Sequence, residues 1–172
     1  FYATQAAAFF SFGIVYSQLV PLMKAELSED SLVFGVLMLG SAASATAYSA
    51  VGRRGCSENG LAKSYAARVP LFASLAALPW LPHTASTAVL VVFPVASGLT
   101  WAYIQVFLNA SALKRSCEAV GLSRFVAGLG YIAGSLVGGL AAIYVGYPVA
   151  FSAAAVVLAI DAAVVSRSVG RA

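Results

Sequence analysis

Charge is what this sequence has least of. Asp, Glu, Lys and Arg make up 9% of its 172 residues, against about 25% in soluble domains. That shortage excludes a water-soluble globular domain. Acids are the rarer sign, six against ten bases, and there is a single histidine. Cysteine is nearly absent too. Cys56 and Cys117 are far apart, lie outside the apolar runs and offer no metal-ligand spacing. Neither a metal centre nor a disulfide framework is expected, and no cofactor. The chain is expected not to be an enzyme.

What is present is apolar. Hydrophobic residues account for 61% of the chain and the mean hydropathy is +0.90. A membrane-spanning helix needs about 20 such residues, so six spans fit. They are expected at Tyr2–Met23, Ser31–Gly52, Ser64–Leu81, Thr87–Leu113, Phe125–Val145 and Tyr147–Ser166. The fold class is therefore all-α: a polytopic membrane protein whose natural partner is the lipid bilayer. Residue 1 is Phe rather than Met and lies almost inside an apolar run, so the chain reads as a fragment or trimmed product.

The net charge of +4 would suggest nucleic acid on a soluble protein. Here the bases cluster in short connections, and membrane orientation explains them better. With Arg68 assigned to the second connection, the second, fourth and C-terminal connections hold nine of the ten Lys and Arg; the first holds only Lys24. The positive-inside rule then puts both termini in the cytoplasm, most simply at the cell membrane. Arg68, one turn inside the expected third span, is read as snorkelling to the interface.

The spans divide as three plus three, about 1–82 and 83–172. The second and fifth, at matching places in the two triplets, are the richest in small residues. That is the pattern of an inverted-topology repeat, a device of transporters.

The most informative stretch is the fifth span. Gly130, Gly134 and Gly138 recur every four residues and so share one helix face. In lipid, small residues four apart let helix backbones approach closely. With Gly121 and Gly139 they also reproduce the glycine spacing of the "motif C" of the major facilitator superfamily, which the chain resembles. Ser135 stands where that motif has the proline associated with antiport. Gly52-Arg53-Arg54 resembles the end of the family's "motif A", with Ala45, Ser49 and Ala50 replacing its Gly, Asp and Arg. In the fourth span Gly98 fits, and Pro94 replaces an arginine. Such degraded copies are similar to the C-terminal six-helix half of these transporters. The resemblance implies a secondary active transporter working by alternating access. Its partners would be a small-molecule solute, H+ or another coupling ion, and the other six-helix half; no nucleic acid is implied.

Several polar and aromatic residues inside spans then stand out as substrate-cavity candidates. Trp101, Gln105 and Asn109 recur every four residues on the fourth span, and Gln105 is too deep to face lipid cheaply. Facing a ligand and bonding a neighbouring helix are both open to it. Gln5, Phe9, Phe12 and Tyr16 share a face of the first span, and Tyr131 sits among the glycines. The resemblance puts the first and fourth spans at a central cavity. Asp161 is the single carboxylate inside a span and hence a weak coupling candidate. At five residues before Ser166 it is shallow enough to reach the interface near Arg167. His83 falls in an outer turn, where a solvated role is expected.

Other classes fare worse. An aquaporin-like pore needs paired Asn-Pro-Ala half-helices, and no such tripeptide occurs. An intramembrane serine protease needs a Gly-x-Ser-Gly nucleophile; Ser97-Gly98 is preceded by Val95 at the first glycine position. A non-transporting assembly subunit, or a channel-type pore of another design, remains as the alternative.

Overall fold

The computed structural model describes residues 1–27, 29–54 and 58–169, leaving aside the side chains of residues 53, 54, 58, 59, 168 and 169. Six helices follow one another: α1 (Tyr2–Leu27), α2 (Asp30–Arg54), α3 (Glu58–Ala76), α4 (His83–Leu113), α5 (Cys117–Tyr144) and α6 (Tyr147–Val169), with a 3₁₀ turn at Leu78–Trp80. Among the described residues there is no strand. All but α3 are long and apolar enough to cross a membrane. The chain is thus an all-α, polytopic membrane fold. At 1.5 Å per residue the 19 residues of α3 extend about 28 Å, close to the hydrocarbon thickness. Its lower apolarity comes from Glu58, Lys63 and Arg68.

Local chemistry sets the boundaries, and two differ from expectation. Helix α5 starts at Cys117, well before the expected Phe125. The Ser116 side chain accepts a hydrogen bond from the Ala119 backbone N–H at 3.1 Å, an N-cap that draws the basic stretch into the helix. Glu118 lies in that first turn, where the helix dipole favours an acid. Helix α3 runs six residues earlier than expected at both its start and, nearly, its end. It begins at Glu58, and Pro79 and Pro82 close off the expected C-terminal part as a 3₁₀ turn and an extended residue. Between α5 and α6, Gly146 takes φ +88°, which a side chain would resist. Its N–H and that of Val145 both donate to the Ala141 carbonyl, at 3.0 and 2.9 Å, ending α5.

Helix α1 packs on α5 and α6, α4 packs on α2 and α3, and α3 packs on α6. Exchanging α1 with α4, α2 with α5 and α3 with α6 converts this set of pairs into itself. The two triplets therefore share these main pairings.

The tightest seams are backbone against backbone. A Cβ on Gly134 would fall 2.8 Å from the Phe10 carbonyl carbon, and one on Gly138 would fall 2.7 Å from Ile14 Cα. Gly130 backs on Ala6 in the same way. Gly40 of α2 meets Pro94 of α4, and Gly98 of α4 meets Gly40 and Ser44. Of the five motif-like glycines, 130, 134 and 138 form the seam. Gly121 faces open space, and Gly139 lies near the Gln18 side chain. Gly52 also faces open space; the side chains of Arg53 and Arg54 lie outside the described residues.

The core lies where α1, α3 and α4 meet. Phe12 is fully buried there, its ring 5.6 Å from Trp101, 6.1 Å from Phe72 and 6.4 Å from Tyr65.

Gly134→Ala is expected to force α1 and α5 apart at a cost of about 1–3 kcal/mol, the range for overpacking a tight contact. Gly128→Ala, where nothing lies within 4 Å, should be neutral or stabilising by up to about 1 kcal/mol. Thermal unfolding of the two variants in detergent checks this. Equal melting points would contradict the seam.

Candidate functional site

A cavity of about 570 Å³ opens between α1, α2, α4 and α5. Its aromatic lining is Tyr16, Tyr48, Trp101 and Tyr131; Ser44 and Ser97 add hydroxyls, and Leu19, Leu37 and Pro94 add apolar surface. Among the described residues that line it, none is acidic or basic. The seams explain why it exists. Gly40 and Gly98 bring α2 against α4, while Gly130, Gly134 and Gly138 bring α5 against α1. Each triplet thus contributes two helices, and the cavity is the space left between the two tight pairs.

Directly behind its wall lies Arg68 of α3, fully buried. The expectation that it snorkels to the interface is corrected here. Arg68 stands about 15 Å along the axis of α3, near the middle of the helix, and it is enclosed by α1 and α4 rather than turned to an interface. Its Nε donates to Thr100 Oγ1 at 2.8 Å, and Nη2 donates to the Ser97 carbonyl at 2.6 Å. The guanidinium carbon stands 4.6 Å from the Phe12 ring centre, 5.4 Å from Trp101 and 6.0 Å from Tyr16. These cation–π contacts are worth up to about 2 kcal/mol each when dry. Nη1 is buried and finds no acceptor. The Tyr16 and Ser97 hydroxyls bond one another across the α1–α4 contact. Both of these residues line the cavity, so their bond forms part of the wall over the guanidinium.

Of the residues singled out in sequence, Tyr16, Trp101 and Tyr131 line the cavity. Phe9 and Phe12 sit one layer behind, in the aromatic cluster with Trp101. Gln5 and Gln105 are placed elsewhere, for a visible reason: each bonds α5. Gln5 Nε2 donates to Ser123 Oγ at 2.8 Å and to the Ser123 carbonyl at 3.1 Å, and Ser123 Oγ donates back to Gln5 Oε1 at 2.9 Å. Gln105 Oε1 accepts from Arg124 Nη1 at 3.1 Å. Of the two roles open to Gln105, the structure shows helix–helix bonding. Asn109 is half-buried one turn further along α4. His83 is exposed at the first position of α4, as expected of a solvated residue.

Asp161 also differs from its expected setting. It is only 4% exposed, and its Oδ2 is buried without a partner, so it does not reach out towards Arg167. It lies on α6, which packs on α3, and the Tyr65 hydroxyl of α3 stands in the fields of both Asp161 and Arg68. Among the described residues no group of His, Cys, Asp and Glu could hold a metal. Cys117 is a free, exposed thiol, and Cys56 lies outside the described residues.

Arg68 is the residue that sequence reasoning misplaced. Its burial rests on contacts with Phe12 of α1 and with Ser97 and Thr100 of α4, which no spacing along α3 reveals.

A double-mutant cycle of Gln5→Ala and Ser123→Ala is expected to give a coupling of about 0.6–1.7 kcal/mol, the range for hydrogen bonds between membrane helices. Thermal unfolding of the four proteins measures it, and strict additivity would mean that the bond contributes nothing. The fold and this geometry carry the functional argument: no family model, curated protein or solved structure matches the chain.

Proposed function

We propose that the chain is one six-helix half of a secondary active transporter, moving a small solute by alternating access. The observation that carries this reading is the cavity itself. Its walls come from α1 and α2 of one triplet and α4 and α5 of the other, in a bundle whose helix pairs survive exchange of the triplets. Solute sites in transporters built from repeats lie between the repeats, near the midplane. The volume falls in the range of small-molecule sites, about 300–1,000 Å³, and the mix of aromatic and hydroxyl groups suits a compact solute. The resemblance to the major facilitator superfamily points the same way, and the other six-helix half would supply the opposite wall. Helices α2 and α5, which flank the opening, are the least buried of the five apolar ones.

The orientation follows from the bases, with both termini cytoplasmic. Arg115 in the α4–α5 connection lies 4.7 Å from the Phe1 ring centre. That connection and the N-terminus therefore share one end of the bundle, as the distribution of Lys and Arg requires. Asp161 is the carboxylate that this reading assigns to a coupling proton, because it is buried and its Oδ2 has no partner. A non-transporting assembly subunit would have no need of a cavity walled by both triplets.

Two outcomes follow for the full-length protein in liposomes. Ala45 is exposed on the cavity lining, so Ala45→Trp should block the cavity without disturbing a seam. Solute uptake is expected to fall at least tenfold at unchanged folded yield; undiminished uptake would count against the site. Asp161→Asn should abolish the stimulation of uptake by an imposed pH gradient while leaving exchange down a solute gradient intact. Retained stimulation would remove Asp161 from the coupling role.

A further inference from the structure

We propose that the solute is a monoanion, a carboxylate on a small apolar or aromatic body, and that Arg68 selects its charge. This rests on the transport reading for its physiological meaning, though binding itself does not require it.

The argument begins with a charge that lacks its counter-charge. Taking a guanidinium out of water is costly unless an anion or a full set of hydrogen bonds replaces the hydration. Arg68 is fully buried, and among the described residues no carboxylate pairs with it. Thr100 and the Ser97 carbonyl take Nε and Nη2, the rings of Phe12, Trp101 and Tyr16 surround the guanidinium, and Nη1 is left buried without an acceptor. Tethering α3 to α4 accounts for the two bonds made. It does not account for the third nitrogen, nor for using arginine where a neutral donor would tether as well.

The cavity lies on the other side of the residues that surround this group. Tyr16, Ser97 and Trp101 contact Arg68 and line the cavity at the same time. Between the two stands the bond joining the Tyr16 and Ser97 hydroxyls. In the bound state proposed here those side chains turn aside and point two O–H donors towards the incoming oxyanion. The carboxylate then takes Nη1, and the donors that sealed the wall hold its remaining lone pairs. Arginine's planar fork suits that geometry.

The rest of the lining sets the class of solute. A dianion such as a phosphate monoester would need a second cation, and none of the described lining residues supplies one. Leu19, Leu37, Pro94 and Trp101 offer apolar surface for the body of the molecule. One charge, one end and an apolar remainder describe a small carboxylic acid.

The sequence has two tryptophans. Trp80 is 75% exposed in the turn before α4, so Trp80→Phe leaves Trp101 as the one tryptophan of this segment, and the emission that Trp101→Phe removes from the full-length protein is the signal of the cavity wall. The full chain in detergent is titrated with phenylacetate and, separately, with its neutral isostere phenylacetamide, with inorganic phosphate as a competitor. A saturable change in Trp101 emission is expected with the acid, at least tenfold tighter than with the amide and unaffected by phosphate. Arg68→Lys, which keeps the charge but loses the fork, should shrink that preference several-fold. Tyr16→Phe should weaken the acid and leave the amide unchanged. Equal affinity for acid and amide, or no response to either, overturns the proposal. So does competition by phosphate at the affinity of phenylacetate. These results come from the folded wild-type site, so a variant that fails to fold does not shield the proposal. Acid-selective binding without uptake in liposomes would sink the transport reading and leave the anion site standing. Uptake of neutral solutes that acids do not inhibit would do the reverse.

Discussion

The structure depends on one constraint: in lipid, helices gain little from hiding apolar side chains from one another, so they must gain from closeness. The glycines of α5 supply it by letting the backbone of α1 approach at Ala6, Phe10 and Ile14. Gly40 and Gly98 do the same for α2 and α4. Everything nearer the site follows from these two seams. The seams join α1 to α5 and α2 to α4, and between those pairs Phe12 and Tyr16 stand opposite Trp101 and Ser97. They also hold α2 and α5 back against their partners, and so leave a cavity rather than a filled core. A glycine seam costs intrinsic helix stability, about 1 kcal/mol per glycine relative to alanine. The bundle concentrates that cost where backbone approach needs it.

Much of this was legible in the sequence, because the membrane imposes simple rules. Long apolar runs gave six helices, and the spacing of Gly130, Gly134 and Gly138 gave a packing face. What periodicity could not give was where polar residues switch from connection to helix. The connection from Lys114 to about Arg124 reads as a basic loop, yet Ser116 caps a helix that takes in its second part from Cys117 on. The Glu58–Lys63 stretch looked like loop as well, yet it is helix. The fate of Arg68 turns on packing instead: α1 and α4 enclose it, and periodicity along α3 cannot show which neighbours it will meet. Gln5 and Gln105 show the complementary gap. Their depth correctly demanded a polar partner, but depth cannot choose between a ligand and a neighbouring helix; Ser123 and Arg124 settled it.

The exchange relation between the triplets is a relation of backbones, not of chemistry. Gly13 and Gly98 occupy equivalent places, each seated between two residues four apart on the facing helix: Tyr131 and Ser135 in one case, Gly40 and Ser44 in the other. The side chains around them diverge. On the α1–α5 side, Tyr131 brings an aromatic ring to the cavity, where its counterpart Gly40 brings none. On the transport reading proposed above, a symmetric frame with an asymmetric lining would hold a solute in one orientation between the repeats.

The same divergence reaches the two outer helices, and it is more telling there. Helices α3 and α6 exchange with each other and pack together. Each carries one buried ionisable side chain with an unpartnered atom, Arg68 on one and Asp161 on the other, of opposite sign. They do not pair. Arg68 is turned towards α1 and α4, held by Thr100 and the Ser97 carbonyl, while Tyr65 stands in the fields of both. On the transport reading proposed above the two have different partners, a coupling proton for Asp161 and the solute for Arg68, whose contacts Tyr16, Ser97 and Trp101 line the cavity.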